Sequence, residues 1–208
     1  MFYEPLNWLA LALMSVALVA ATIVIRRWVD ARRNLEQRVA ELATIEETGR
    51  EIAQTQLDVD ELCQLMYASA SRIADTTGFQ LGLFNGDEYA IKLWVREGER
   101  VPPRSFRLVP GAGVVGWLRD SKQPILVRDF LKEIDTLPAK PVYVSERPPR
   151  SALFVPLIAG ETAVGSMSLQ SLQPNAYGES DLRVLLAMGN QAALAIQKAE
   201  LYEAEQRQ

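Results

Sequence analysis

The first 52 residues fall into two hydrophobic patterns. From Trp8 to Ile25 the chain reads WLALALMSVALVAATIVI, eighteen residues without a charge and with only Ser15 and Thr22 as mild polar breaks. As a helix this stretch would cover about 27 Å, close to the roughly 30 Å hydrocarbon core of a bilayer. A helix buried in a globular core would show polar residues every third or fourth position, and this one does not. It therefore predicts a transmembrane helix over 6–27, preceded by a short extracytoplasmic N-terminus, 1–5. A cleaved signal peptide fits less well. Met1–Pro5 carries no basic side chain, the apolar run is long, and arginines stand where a cleavage site should lie. The second pattern places Leu35, Val39, Leu42, Ile45 and Ile52 in a narrow stripe among charged residues. That spacing predicts a juxtamembrane helical stalk over 28–45, suited to pairing with a second copy as a short coiled coil.

Beyond the stalk the pattern alternates between periods of 3.6 and 2. Leu62, Leu65, Met66 and Ile73 form one face of a helix, with Asp58 as N-cap and Glu61 three residues on, and Gly78 ends it. Residues 79–84 and 89–95 read as strands joined at Asn85-Gly86, a strong hairpin signal. A short strand near 105–109, a brief helix over 114–119 and a short strand at 124–127 follow. Residues 128–150 read as irregular, with four prolines after Leu137. Residues 151–158 and 162–171 flank Ala159-Gly160-Glu161 as a second hairpin, and a last helix starts near Glu179. The order predicts an α+β domain, an antiparallel sheet with helices on its faces.

Charge orients the anchor. Arg26, Arg27, Arg32 and Arg33 follow the span and no basic side chain precedes it, which places the later domain in the cytoplasm and the N-terminus outside. The expected location is the cytoplasmic (inner) membrane, crossed once. The chain of 208 residues carries a net charge of −4. Its first 45 residues contain five arginines and four acids, so the remainder holds 17 basic against 22 acidic residues. A nucleic-acid binder needs a basic face, and no Lys/Arg run follows Arg38, so no nucleic-acid partner is expected.

There is no histidine and one cysteine, Cys63. That argues against His-activated nucleophiles, His-ligated zinc and His-ligated haem. A single cysteine closes no internal disulfide, in keeping with a cytoplasmic domain. Its place between Leu62 and Leu65 suits a small, partly buried helix residue better than a sensor thiol.

Several segments then resemble one family. Gly113-Val114-Val115-Gly116-Trp117 followed by Gln123-Pro124 through Arg128-Asp129 resembles the GAF pattern G-x-x-G-W … P-x-x-x-x-D. Arg150-Ser151-Ala152-Leu153-Phe154-Val155-Pro156-Leu157 resembles its R-S-x-L-x-V-P-L segment, and 163–171 its later strand. The entry at Ala176-Tyr177-Gly178-Glu179-Ser180-Asp181-Leu182 and the helix around Gln191–Ile196 also fit. The resemblance covers 46–202, leaving 203–208 as the end of the C-terminal helix. It implies a GAF-like (PAS-like) antiparallel six-stranded sheet flanked by helices, with the terminal helices on one face. Loops on the other face of such domains often cover a small-molecule pocket. It also implies a homodimer through the first and last helices. Fold does not fix the ligand.

Gly111-Ala112-Gly113-Val114-Val115-Gly116 matches the dinucleotide fingerprint G-x-G-x-x-G, but the following helix is too short for a parallel crossover. Cys63 lies away from the cysteine that carries bilin in phytochrome-like relatives, and the accompanying histidine is missing, which argues against covalent bilin. GAF proteins that reduce free methionine sulfoxide use two or three cysteines, and one is present here. No enzymatic activity is expected, and the cofactor is left open. If the pocket binds a ligand, its candidate residues are Trp94, Trp117, Phe130, Tyr143 and Phe154 as walls, with Arg128, Asp129, Ser151, Ser166 and Ser168 as polar groups. Asp129 has the alternative of bonding to backbone in its own loop. Two functions remain open: a sensory module relaying through a helical dimer to a downstream signalling protein, and a ligand-free membrane-tethered scaffold for dimerisation and protein docking.

Overall fold

The computed structural model describes residues 59–109, 113–141 and 147–206, together with Arg26, Arg27 and Arg32; of the last helix the side chains are described to Ala199. Contacts divide the chain into two units, 1–43 and 44–208. The expected transmembrane helix and stalk lie outside the described residues except for those three arginines, and so does the N-cap Asp58. Among the described residues no helix is long and apolar enough to cross a membrane.

Helix α1 spans Val59–Ile73 and buries Leu62, Cys63, Met66, Ser69 and Ala70, one face at helical spacing. Strands β1 (Gly78–Asn85) and β2 (Glu88–Arg96) form the first hairpin. Its two-residue turn is Gly86-Asp87, one residue later than the Asn-Gly signal implied, and Gly86 takes a φ of 60° that such turns require. Two short strands, β3 (Glu99–Arg100) and β4 (Ser105–Arg107), both pair with β2. Helix α2 (Gly113–Ser121), strand β5 (Ile125–Val127) and the one-turn helix α3 (Phe130–Glu133) follow. Strands β6 (Ser151–Ala159) and β7 (Thr162–Ser171) form the second hairpin, and α4 runs Glu179–Gln206.

The strands make one antiparallel sheet in the order β3-β2-β1-β7-β6-β5, with β4 also on β2. The sheet has seven strands, not the six expected. The extra one is β3, two exposed residues held only by pairing Val95 with Arg100 and Arg96 with Glu99. Residues 128–150 are also less irregular than expected, because Asp129 caps α3 by accepting a hydrogen bond from the Leu131 amide at 3.2 Å.

Side-chain alternation gives the sheet two different faces. Phe79, Leu81, Leu93, Val95, Leu153, Val155, Leu157, Met167 and Leu169 join α1 and α4 in the main core. On the opposite face Ile125, Val127, Ala152 and Phe154 pack with Val114 and Leu118 of α2 and with Phe130. Strand β6 is covered on both sides and is buried almost throughout, which explains its unbroken apolar run.

Candidate functional site

The face away from α1 and α4 has alternate positions of β1 and β7 that are polar. Register places Gln80 opposite Ser168 and Gly82 opposite Ser166, while Phe154 and Pro156 of β6 face the same two serines. Helix α2 packs over β6 and β7 on this face, and the chain from Arg104 to Val109, which includes β4, borders it at the β2 end. Between these covers lies a cavity of about 340 Å³, within the usual range for small-molecule sites of roughly 300–1,000 Å³. Its apolar walls include Ile91, Leu108, Val114, Leu118 and Phe154. Gln80, Ser166, Ser168, Gln170 and Arg104 supply the polar groups.

A buried network holds the floor. The Tyr89 hydroxyl and the Ser166 hydroxyl lie 2.9 Å apart, the Tyr89 hydroxyl also reaches the Ser166 carbonyl at 3.4 Å, and Gln80 donates to Tyr89 at 3.5 Å. Burial pushes the Tyr89 hydroxyl's pKa up, against smaller opposing hydrogen bonds from Ser166 and Gln80, so it stays protonated at neutral pH. The Tyr89 ring packs on Phe84 and Phe106 with centroids 5.3 and 5.4 Å away. Gln170 donates to the Ser168 hydroxyl at 3.4 Å.

Trp94 stands beside this cavity, lining a smaller one of about 100 Å³. The Arg96 and Arg104 guanidinium carbons lie 4.9 and 4.6 Å from its ring centroid, cation–π distances. Gln80, Arg104 and Gln170 line both cavities.

Of the residues singled out by sequence, Phe154, Ser166 and Ser168 line the larger cavity and Trp94 the smaller. Trp117 and Phe130 pack in the cluster under α2. The other polar candidates are engaged elsewhere. Arg128 pairs with Glu179 at 3.0 Å, and the Ser151 hydroxyl donates to the Gln173 carbonyl at 2.7 Å. Asp129, 5% exposed, accepts from Arg150 at 3.0 and 3.1 Å besides capping α3. Burial opposes its charge, but the bonds from Arg150 and Leu131 outweigh that and hold the carboxyl below its ordinary pKa. Tyr143 lies outside the described residues. Cys63 is 1% exposed within the main core. Among the described residues no cluster of carboxylate, cysteine and histidine side chains could hold a metal ion.

The sequence reading missed Gln80, Tyr89, Arg104 and Gln170. A usable signal existed for two of them. Gln80 alternates with Phe79 and Leu81, and Gln170 continues the Ser166, Ser168 series on β7.

The fold is shared with solved structures. The GAF domain of a phosphoenolpyruvate-protein phosphotransferase from Coxiella burnetii superposes with a TM-score of 0.60 at 16% identity, covering 79% of this chain and 96% of that one. The GAF domain of a two-component sensor histidine kinase from Bacillus halodurans gives 0.58 at 16%, covering 71% and 99%. A free methionine-R-sulfoxide reductase from Neisseria meningitidis, solved with its substrate, gives 0.57 at 16%, covering 78% and 91%. That neighbour corrects the expectation that the chain has no enzymatic activity. The same fold carries a named reductase, so the fold itself does not exclude catalysis. At this identity the likeness speaks for the fold alone. No curated protein matches the chain in sequence. A family model described as GAF domain matches residues 56–197. That match covers more than half of the chain, which therefore belongs to the GAF domain family.

Proposed function

We propose that the chain is a sensory or regulatory module of signal transduction that binds a small molecule in the cavity between the sheet and α2. The observation carrying this reading is the cavity itself: apolar walls on several sides and convergent side chains from Gln80, Ser166, Ser168 and Gln170. A GAF domain with this fold in a sensor histidine kinase is consistent with a signalling role.

The reading extends to the residues before Val59. The apolar run at 8–25 with its trailing arginines anchors the protein in the cytoplasmic membrane, N-terminus outside and GAF domain inside. The stalk pairs two copies, and membrane confinement raises their effective concentration. Ligand occupancy biases the helices of the homodimer and is read by a downstream signalling protein. A thermal-shift screen of metabolites against the purified full-length chain tests the reading. A binder at 100 times its dissociation constant adds about 2.7 kcal/mol to the folded state. The expected result is at least one metabolite class that raises the melting temperature. A screen in which none does would favour the ligand-free scaffold.

A further inference from the structure

The charged side chains that line the larger cavity, among the described residues, are Arg104 and Arg107, and no acid lines it. This holds in a chain whose net charge is −4, so the positive lining is a local feature and not a reflection of bulk composition. Arg107 is engaged at the rim, its guanidinium 3.8 Å from the Asp87 carboxylate. Arg104 is different. Its backbone is fixed, because its carbonyl accepts from the Ile91 amide at 2.9 Å. Its side chain is held against Trp94, beside Arg96. In the smaller cavity the carboxylate is Glu97, and it pairs with Arg147 at 3.2 Å. Two guanidiniums therefore share one indole, and among the described residues neither bonds to a carboxylate. Gln80 and Gln170 line both cavities together with Arg104.

We infer that the ligand is a small organic anion with an apolar body. Its carboxylate or phosphate meets Arg104 at the wall shared by the two cavities, and its apolar part lies against Leu108, Val114, Leu118 and Phe154. A guanidinium offers a planar fork of donors that matches either anion, and stacking on Trp94 lowers the ordering cost of presenting it. The inference rests on the cavity being the ligand site, as proposed above, and adds the chemical class it selects.

The test uses the purified full-length chain and matched probes of nearly equal size: benzoate and phenyl phosphate as anions, benzamide and benzyl alcohol as neutral counterparts. Binding is read by titration calorimetry for wild type, Arg104→Gln, Arg104→Lys and Gly116→Leu. The expected result is that one or both anions bind about tenfold or more tighter than the neutral probes, the scale of one charge-assisted hydrogen bond at an exposed head group. Whichever of the two anions is preferred names the head group. Arg104→Gln should remove the preference and leave the weaker neutral binding, while Arg104→Lys keeps part of it. Gly116→Leu, which fills the cavity, should weaken every probe. Neutral probes binding as tightly as the anions, with Arg104→Gln without effect and Gly116→Leu still weakening them, would overturn the anion inference and leave the cavity reading standing. Binding of no probe, or binding that Gly116→Leu does not change, would overturn both.

Discussion

Gly82 has no room for a side chain. A Cβ there would fall 2.8 Å from the Ala90 carbonyl oxygen and run into the Tyr89 ring. The glycine thus lets Tyr89 lie against β1 with its hydroxyl on Ser166. Gly82→Ala should displace that ring and cost about 1–3 kcal/mol, the usual scale of overpacking, read as a lower urea midpoint. An unchanged midpoint would show that Tyr89 is not fixed in this way. Asp75 makes a second local tie, between the end of α1 and the end of β7. It accepts from the Thr77 amide at 2.8 Å, the Thr77 hydroxyl at 2.7 Å and the Ser171 hydroxyl, while its carbonyl accepts from the Tyr177 hydroxyl at 2.7 Å. Burial opposes the charged carboxylate, but the bonds from Ser171 and Thr77 prevail and hold its pKa below the ordinary value. A carboxyl with a depressed folded pKa contributes stability that is complete above its unfolded pKa of about 3.9 and is lost as pH falls through the folded value. Wild type should therefore lose stability on acidification below about pH 4. Asp75→Asn should start less stable at pH 7 and fall less steeply. Parallel acid limbs in urea titrations of the two proteins would contradict this.

At the scale of elements, β6 is the strand whose position and sequence agree most fully. Leu153 is fully buried at the junction of β6, β7 and the terminal helices. Leu153→Ala should cost about 2–5 kcal/mol, whereas Leu131→Ala, at a side chain 75% exposed, should stay within about 0.5 kcal/mol. Chemical denaturation of both variants compares them directly, and equal losses would place Leu153 outside the core. The hairpins and both long helices were legible because their signals are local: turn residues between apolar runs, and apolar positions at helical spacing. Strand β3 was not. Glu99 and Arg100 are polar and exposed, and only the neighbouring edge of β2 makes them a strand. Helix α3, four residues long, shows no period; its sign is the cap at Asp129.

At the scale of the molecule, the candidate site was half legible. Ser166, Ser168 and Phe154 could be placed because strand parity carries them to the open face. Arg128, Asp129 and Ser151 sat in the family-like segments, yet their partners Glu179, Arg150 and Gln173 come from elsewhere in the chain. Contacts of that kind leave no mark in local sequence. Arg104 was invisible for the same reason, since a loop and the stack on Trp94 set its place. The proposed dimer belongs to this scale too. Cysteines introduced at Leu35 and Leu42 should cross-link between copies in membranes, with little background from Cys63, which is 1% exposed. Absence of cross-linking would count against a paired stalk.

The central claim is that the space between α2 and the open face of the sheet is a ligand site, and Gly116 gives access to it. Among the described residues a Cβ at this position would meet only the Val109 carbonyl oxygen, at an ordinary 3.7 Å, so α2 has room here for a side chain at the cavity wall. The decisive measurement is the melting temperature of full-length wild type and Gly116→Leu, side by side, across one metabolite library. The account predicts a metabolite that raises the melting temperature of wild type and fails to raise that of Gly116→Leu while both proteins remain folded. A library that shifts neither protein, or a metabolite that stabilises both equally, would contradict it.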